Sequence, residues 1–174
     1  MTFEEMNSKN KRKPLKINIG CGLDVKFNYI NYDLTPLHPA VKALDLEKMS
    51  IPHEDNSVEE IVAQDVLEHI YNLSNVMNEF YRVLKPGGKV NIRVPHFTYH
   101  CAFEDPTHCR RFSIETLKYF CASHRRAYEV DAKFKKCHVY LAFLKRWYLP
   151  YNFVVEKIVN LSFATNYLYE VSFL

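Results

Sequence analysis

A short apolar segment that runs directly into two glycines constrains this chain more than any other feature. Lys16-Ile17-Asn18-Ile19 is typical of a buried strand, and Gly20-Cys21-Gly22 follows it without a gap. Glycines after a strand permit a tight turn and allow a ligand to approach the backbone closely. The segment therefore predicts the first strand of an α/β sheet, with a ligand site where the strand ends.

Further apolar runs separated by turns follow the first strand. They predict strands over residues 15–19, 29–33, 41–45, 59–64 and 89–94. Between the last two, apolar residues at three- and four-residue spacing predict a helix over 73–85, which Pro86-Gly87-Gly88 would end with a turn. The segment between the first two strands is too short for a helical crossover, so we expect a turn there. This order is typical of a parallel sheet covered by helices.

The pattern becomes less regular after residue 95. A polar, His-rich loop extends to Arg111, and we predict a short helix capped by Ser113 that ends near Cys121, then strands over 127–134 and 137–143. We expect a polar tail at 1–14 and one domain over 15–174, divided into halves at 15–95 and 96–174. The aromatic residues beyond 138 suit core packing, an apolar pocket or a dimer face.

Polar side chains stand at the predicted end of each strand in the first half. Asp33 ends the second strand, Asp45 and Leu46 end the third, and Gln64-Asp65 ends the fourth. The carboxyl ends of parallel strands meet at one edge, where open sheets bind their ligands. A carboxylate at Asp33 is suited to ribose hydroxyls, whereas Asp45 and Leu46 are suited to an adenine ring. Strand ends in succession thus present ligand-capable groups, and the sequence predicts a ligand site at this edge.

Several segments together resemble a known family: Ile-Asn-Ile-Gly-Cys-Gly, Tyr-Asp-Leu, Val-Leu-Glu-His-Ile and Arg-Val-Leu-Lys-Pro-Gly-Gly. Over about 15–95 the chain resembles class I S-adenosylmethionine-dependent methyltransferases of the small-molecule, type-11-like kind. The resemblance implies S-adenosylmethionine as cofactor and a Rossmann-like α/β fold, with a mostly parallel sheet, an antiparallel edge, helices on both faces and a shortened first crossover. The cofactor-binding residues that it implies are Asn18, Gly20, Cys21, Gly22, Asp33, Leu34, Asp45, Leu46, Gln64, Asp65, Val66 and His69.

Two positions depart from the family pattern. Asn18 stands where an acidic residue is usual, and Asp24 takes the place of a third glycine. We therefore expect this chain to hold the methionine amino group differently.

Candidate catalytic residues follow the fifth strand. Methyl transfer requires an acceptor atom in line with the methyl group and, for a hydroxyl acceptor, a base. His96, His100, Asp105 and His108 are the candidates, with His96 first because it comes directly after the strand. Loop packing is the alternative role for each. The same residue types bind metals, but their spacing matches no known zinc pattern, so we expect no metal.

Charge and motifs restrict the acceptor. Residues 1–87 carry 10 Lys/Arg against 13 Asp/Glu, and residues 88–174 carry 13 against 7. The basic half would face an anionic acceptor or, alternatively, only solvent. The fourth strand lacks the Asn/Asp-Pro-Pro-aromatic end of relatives that methylate adenine. We expect a small-molecule or saccharide acceptor rather than nucleic acid.

Two other functions stay open at this point. A dinucleotide-dependent dehydrogenase is disfavoured, because the chain lacks a full G-x-G-x-x-G and a helix to receive a pyrophosphate. A catalytically inactive binding protein of the same fold would differ only in turnover.

The sequence also indicates where the protein is located. No apolar stretch reaches the roughly 20 residues of a membrane span, no export signal is visible and the five cysteines are scattered, so we expect a cytoplasmic protein. The aromatic C-terminal region is a candidate homodimer face.

Overall fold

One mostly parallel sheet organises the molecule. The computed structural model describes residues 14–139 and the backbone of a strand at Tyr169–Ser172. The strands in this part of the chain are β1 Lys16–Ile19, β2 Ile30–Asp33, β3 Val41–Ala43, β4 Val58–Gln64, β5 Leu84–Arg93, β6 His138–Val139 and β7 Tyr169–Ser172. Their order is β3-β2-β1-β4-β5-β7-β6, with β1 to β5 parallel and β7 antiparallel to both of its neighbours. This confirms the predicted parallel sheet with an antiparallel edge.

The central strand β1 is buried between β2 and β4. Ile17 pairs with Ile30 on one side and with Ile61 on the other, and Ile17 and Ile61 are fully buried. A strand buried on both faces needs continuous apolar residues, which explains its composition. Asn18 is the polar exception, and its Nδ2 donates a hydrogen bond of 2.9 Å to Oδ1 of Asn31 on β2.

The helix between β4 and β5 forms as predicted and is slightly shorter. Helix α1 covers Leu73–Val83, and Asn72 caps it by accepting a hydrogen bond of 3.2 Å from the Asn75 N–H. Its apolar face packs on the sheet through Leu73, Val76, Met77, Phe80 and Val83. The helix ends before residue 85 because Leu84 is already extended and begins β5.

The predicted turn at Pro86-Gly87-Gly88 was wrong. These residues lie inside β5, where Leu84 pairs with Val58 and Lys89 pairs with Glu60. Because β5 advances five residues while β4 advances two, the Pro-Gly-Gly segment forms an irregularity in the ladder rather than a turn before the strand. The other predicted turn is confirmed, since residues 20–29 join β1 to β2 without a helix.

The second half departs most from the predicted elements. Instead of a helix capped by Ser113, a 3-10 helix covers Leu117–Phe120, and Ser113 bonds locally with Thr116. The strand predicted over 127–134 was wrong: a 3-10 helix covers Ala127–Glu129, and a single bridge joins Phe134 to Cys121. Burial of Phe134 in the core, rather than strand pairing, fixes this segment.

The remaining predictions fall partly outside the described residues. Of the strand predicted over 137–143, β6 covers His138–Val139, and residues 140–168 lie outside the described part, as do 1–13. The dimer face predicted in the aromatic tail also falls outside the described residues, as does part of the helical layer expected to cover the sheet. A short helix α2 covers Cys101–Glu104. Within the described residues no helix is long and apolar enough to cross a membrane.

Candidate functional site

The glycine turn after β1 brings two loops into close contact. Gly20 has φ of +61°, and a Cβ there would lie 2.1 Å from Cγ2 of Val66, in the loop after β4. Gly22 has φ of +49°, but a Cβ at this position would meet nothing within 4 Å. Gly20 is therefore required by packing, whereas the space beside Gly22 is open to a ligand.

Asp33 is fixed at the end of β2 by backbone donors. Its Oδ2 accepts a hydrogen bond of 2.7 Å from the Gly22 N–H, and its Oδ1 accepts one of 2.9 Å from the Thr35 N–H. The carboxylate is thus held beside the glycine turn. Leu34, the residue after Asp33, is exposed. Cys21, in the glycine turn, is buried, and its burial raises the pKa of its thiol.

Asn18 supports the same turn from inside. Its side chain is buried and donates a hydrogen bond of 2.8 Å to the carbonyl of Asp24, in addition to the one to Asn31. An amide can satisfy this backbone carbonyl, whereas a carboxylate could not donate to it. Asn18, which departs from the family pattern, therefore stabilises the turn that replaces the first helix.

The loop after β3 is tied to the loop after β4. Asp45 accepts a hydrogen bond of 3.0 Å from the Glu47 N–H, and its pairing with Lys48 holds the pKa of Asp45 below its usual range. Oε1 of Glu47 accepts a hydrogen bond from the Tyr71 N–H. Leu46 packs partly against the core. Because β1, β2 and β3 are parallel, Asp45 and Leu46, which follow β3, lie at the same edge of the sheet as the glycine turn.

The end of β4 has an unusual backbone. Gln64 is half-buried, and Asp65 has φ of +55°, in the left-handed region that few residues other than glycine adopt. The Asp65 N–H donates 2.8 Å to the carbonyl of Arg93, and Nε of Arg93 donates 3.0 Å to Oδ2 of Asp65, which raises the pKa of Arg93. This bend directs Val66 toward Gly20.

Two of the four candidate bases, His96 and His100, have different local surroundings. His96 is buried, its backbone bridges to Phe112, and its Nδ1 lies 2.9 Å from Oγ1 of Thr98. His100 is exposed and pairs with Glu104, which holds the pKa of Glu104 below its usual range. Neither contact involves the residues of the loop after β4.

The other two candidates meet His69. Oγ1 of Thr107 donates a hydrogen bond of 2.6 Å to Oδ1 of Asp105 and lies 2.9 Å from Nδ1 of His69. The rings of His69 and His108 pack edge to face with their centroids 4.7 Å apart. The structure thus joins the loop after β5 to the loop after β4 through three residues that the sequence singled out separately.

Glu68 is a candidate functional residue that the sequence-based selection missed. Its side chain is 1% exposed, and burial raises its pKa to about 8. Within the described residues Oε2 of Glu68 has no hydrogen-bond partner. The signal was available, since an acidic residue lies inside the otherwise apolar run Val66-Leu67-Glu68-His69-Ile70.

Part of the chain is similar to known methyltransferases. Residues 17–92 match a family model described as a methyltransferase domain. Phosphoethanolamine N-methyltransferase 2 of Caenorhabditis elegans is 32% identical over 75 residues, which are 41% of this chain and 17% of that protein. The chain therefore corresponds to less than a fifth of this relative's length.

Solved structures show the same fold over nearly the whole chain. A SAM-dependent methyltransferase from Archaeoglobus fulgidus has a TM-score of 0.64 at 15% identity, with 98% of this chain and 90% of that chain covered. A complex of the Trm112 methyltransferase activator with a methyltransferase from Haloferax volcanii gives a TM-score of 0.58 at 16% identity, with 93% and 83% covered.

The sheet order and these likenesses show that the chain has the Rossmann-like fold of S-adenosylmethionine-dependent methyltransferases, and residues 17–92 match the methyltransferase-domain model.

Proposed function

We propose that this chain transfers the methyl group of S-adenosylmethionine to a small-molecule or glycan-like acceptor by in-line displacement. The observation that carries the proposal is the open backbone at Gly22 beside the fixed carboxylate of Asp33. Gly20 and Val66 close one side of this space, and the loops after β3 and β4 border it.

Each part of the cofactor has a proposed partner at this edge. Gly20 to Gly22 would meet the methionine portion, and both oxygens of Asp33 retain lone pairs for the ribose hydroxyls. Asp45 and Leu46 would contact the adenine, while Gln64, Asp65 and Val66, with His69 after them, would cover the outer face. None of these contacts needs a phosphate-binding helix, which this chain lacks between β1 and β2.

We propose that a base for a hydroxyl acceptor comes from His96, His100, Asp105 or His108. Hydrogen bonds from Thr107 hold the pKa of Asp105 below its usual range, so this carboxylate is ionised at neutral pH. Its Oδ2 lies 3.9 Å from Nε2 of His108. An ionised carboxylate or a neutral imidazole in such a pair can accept the proton of a hydroxyl.

An anionic group on the acceptor is supported by a basic surface cavity. The cavity has a volume of about 530 Å³, and Arg110, Arg125 and Arg126 line it together with His124 near the start of α1. Guanidinium groups are suited to phosphate and carboxylate. The C. elegans relative is named for phosphoethanolamine, an acceptor that carries such a group.

We also propose a cytoplasmic location for the protein. All five cysteines are free thiols, which supports this location.

Calorimetric titration with S-adenosylhomocysteine and with NAD tests the cofactor site. Asp33→Ala should weaken the binding of S-adenosylhomocysteine by about 1.5 to 3 kcal/mol, because a charged hydrogen-bond acceptor is lost. Asp24→Ala is the matched control, since its carboxylate is 65% exposed and pairs with Lys26 in the same turn. Preference for NAD, or equal binding by wild type and Asp33→Ala, would refute the assignment.

Turnover separates the enzyme from an inactive binding protein of the same fold. Wild type incubated with S-adenosylmethionine and a panel of phosphorylated amines and saccharides should release S-adenosylhomocysteine with one class of acceptor. Cofactor binding without any release across amine, hydroxyl and saccharide acceptors would favour the inactive alternative.

A further inference from the structure

We propose that Glu68, His69 and His108 form a binding site for a divalent transition metal, here called the Glu-His-His site. One donor atom from each of the three residues lies within 4.8 Å of the other two. Glu68 and His69 belong to the 3-10 helix Leu67–His69 that follows β4, and His108 comes from the loop after β5. No ligand spacing in the sequence indicated this site, because its two parts lie about forty residues apart.

The backbone holds the two parts of the site together. The N–H groups of Cys109 and Arg110 both donate to the carbonyl of Glu68, at 2.9 and 3.1 Å. Nε of Arg110 donates a further hydrogen bond of 2.7 Å to the carbonyl of Ile70. Metal ligands would therefore be brought together by side-chain rotation, with the loop already in place.

The hydrogen bonds of both histidines leave Nε2 available for a metal. Thr107 donates its only hydroxyl proton to Asp105, so the contact with Nδ1 of His69 requires a proton on that nitrogen. Nδ1 of His108 lies 3.4 Å from the carbonyl of Ala102, which can only accept, so His108 is also protonated on Nδ1. In the neutral rings Nε2 then carries the lone pair, and bonds of this kind orient histidine ligands in metal sites.

Two potential ligand atoms of the site lie in electrostatically unfavourable surroundings. Oε2 of Glu68 is buried and has no hydrogen-bond partner in the described part of the chain, an arrangement that is costly for a polar group. The Nε2 lone pair of His108 also lies only 3.9 Å from Oδ2 of Asp105, and the side chain of His108 is 8% exposed. A cation among these atoms would give each of them a favourable partner.

The donors indicate the kind of metal. Two imidazole nitrogens and one carboxylate suit zinc and its transition-metal neighbours, whereas magnesium and calcium prefer oxygen ligands alone. Ligands about 2.1 Å from a tetrahedral zinc lie about 3.4 Å apart, within the present limit of 4.8 Å. Three protein ligands leave a position open for water or for an acceptor oxygen. With His108 as a ligand, His96, His100 and Asp105 remain as candidate bases.

Calorimetric titration of chelator-treated protein with Zn²⁺, and with Mg²⁺ for comparison, tests the site without any cofactor. We expect one Zn²⁺ per chain, preference over Mg²⁺, and a thermal midpoint about 5 °C or more higher at saturating Zn²⁺. Glu68→Gln and His108→Ala should each weaken Zn²⁺ binding at least about tenfold, and Thr107→Val should weaken it by about tenfold through His69.

Control variants keep the test independent of folding and of methyl transfer. His38→Ala removes an exposed histidine elsewhere and should leave Zn²⁺ affinity unchanged. In chelator, Glu68→Gln should melt no lower than wild type, so a failure to bind could not be attributed to unfolding. Absence of Zn²⁺ binding, or equal affinity in Glu68→Gln, would overturn the proposal. So would loss of binding in His100→Ala alone, which would assign the metal to the exposed group of His100, Cys101 and Glu104.

Discussion

The described chain contains two regions that hold their shape by different means. In the cofactor region, 14–95, five parallel strands share ladders with one irregularity between β4 and β5, and loops are fixed where strands end. In the loop region, 96–139, two isolated bridges and short helical turns replace the ladders, apart from β6. Its buried side chains, such as Phe112 and Phe134, pack instead against the core that the sheet provides.

The comparison shows that the loop region is built on the cofactor region. Its backbone N–H groups at Cys109 and Arg110 donate to the carbonyl of Glu68, and Nε of Arg110 donates to the carbonyl of Ile70. The Ala132 N–H donates a hydrogen bond of 2.9 Å to Oδ1 of Asn78 on α1. A region held by such single contacts opens locally at low cost in free energy, whereas the sheet opens only with the whole fold. The loop region is therefore positioned by the edge of the cofactor region that is proposed to bind S-adenosylmethionine.

The largest expected effect comes from closing the space that Gly20 leaves. In Gly20→Ala a Cβ would overlap Val66 and the residue would keep a left-handed backbone. We expect unfolding free energy to fall by about 2 to 4 kcal/mol and S-adenosylhomocysteine affinity to fall at least tenfold. Urea unfolding and calorimetry measure the two effects.

Gly22→Ala is the control for the first variant. It shares the positive φ but would meet nothing within 4 Å, so a cost of about 1 kcal/mol is expected from the backbone alone. If both variants lost the same stability, the contact between Gly20 and Val66 would not be what joins the two loops.

A smaller effect is expected from cutting the connection between the regions. Arg110→Met removes the donors to the carbonyls of Ile70 and Tyr71, at an expected cost of about 1 to 2 kcal/mol. Hydrogen exchange should become faster in 105–111 and stay unchanged in β1 and β4. Arg111→Met is the control, because among the described residues Arg111 donates to carbonyls within its own loop, those of His108 and Arg110. Faster exchange in β4 after Arg110→Met would mean that the regions unfold together.

The difference between the cofactor region and the loop region also explains which elements could be predicted from the sequence. β1, β2, β4 and α1 were placed to within about two residues, because burial against a sheet imposes a regular period on the side chains. The glycine turn and Asp33 were found because a strand end determines where the next side chain lies. The Pro-Gly-Gly segment was misassigned, since an irregularity between paired strands has the same local composition as a turn.

The loop region could not be predicted in this way. Phe134 is held by a core that five earlier strands create, so no local period marks its segment. Glu68 and His108 meet through backbone bonds between distant loops, and their contact has no signature in either loop alone. Which of His96, His100, Asp105 and His108 acts as a base depends on the acceptor, and these four roles stay predictions.

The smallest expected effect concerns His53, which indicates whether acid destabilises the cofactor region directly. Its Nε2 lies 3.2 Å from the Tyr32 hydroxyl, and burial, with further contributions from Lys42 and Arg82, lowers its pKa below 6.5. Since the unfolded chain binds this proton more readily, the stability from His53 is present above pH 6.5 and is lost as the pH falls through the folded pKa.

Between pH 7 and pH 5, measured in chelator, His53→Gln should flatten the decline in unfolding free energy by less than about 1 kcal/mol. His38→Gln, at an exposed histidine, should leave the decline as in wild type. A decline that persists in His53→Gln would assign the acid sensitivity to groups other than His53. Protonation of His53 would then not be what destabilises the cofactor region in acid.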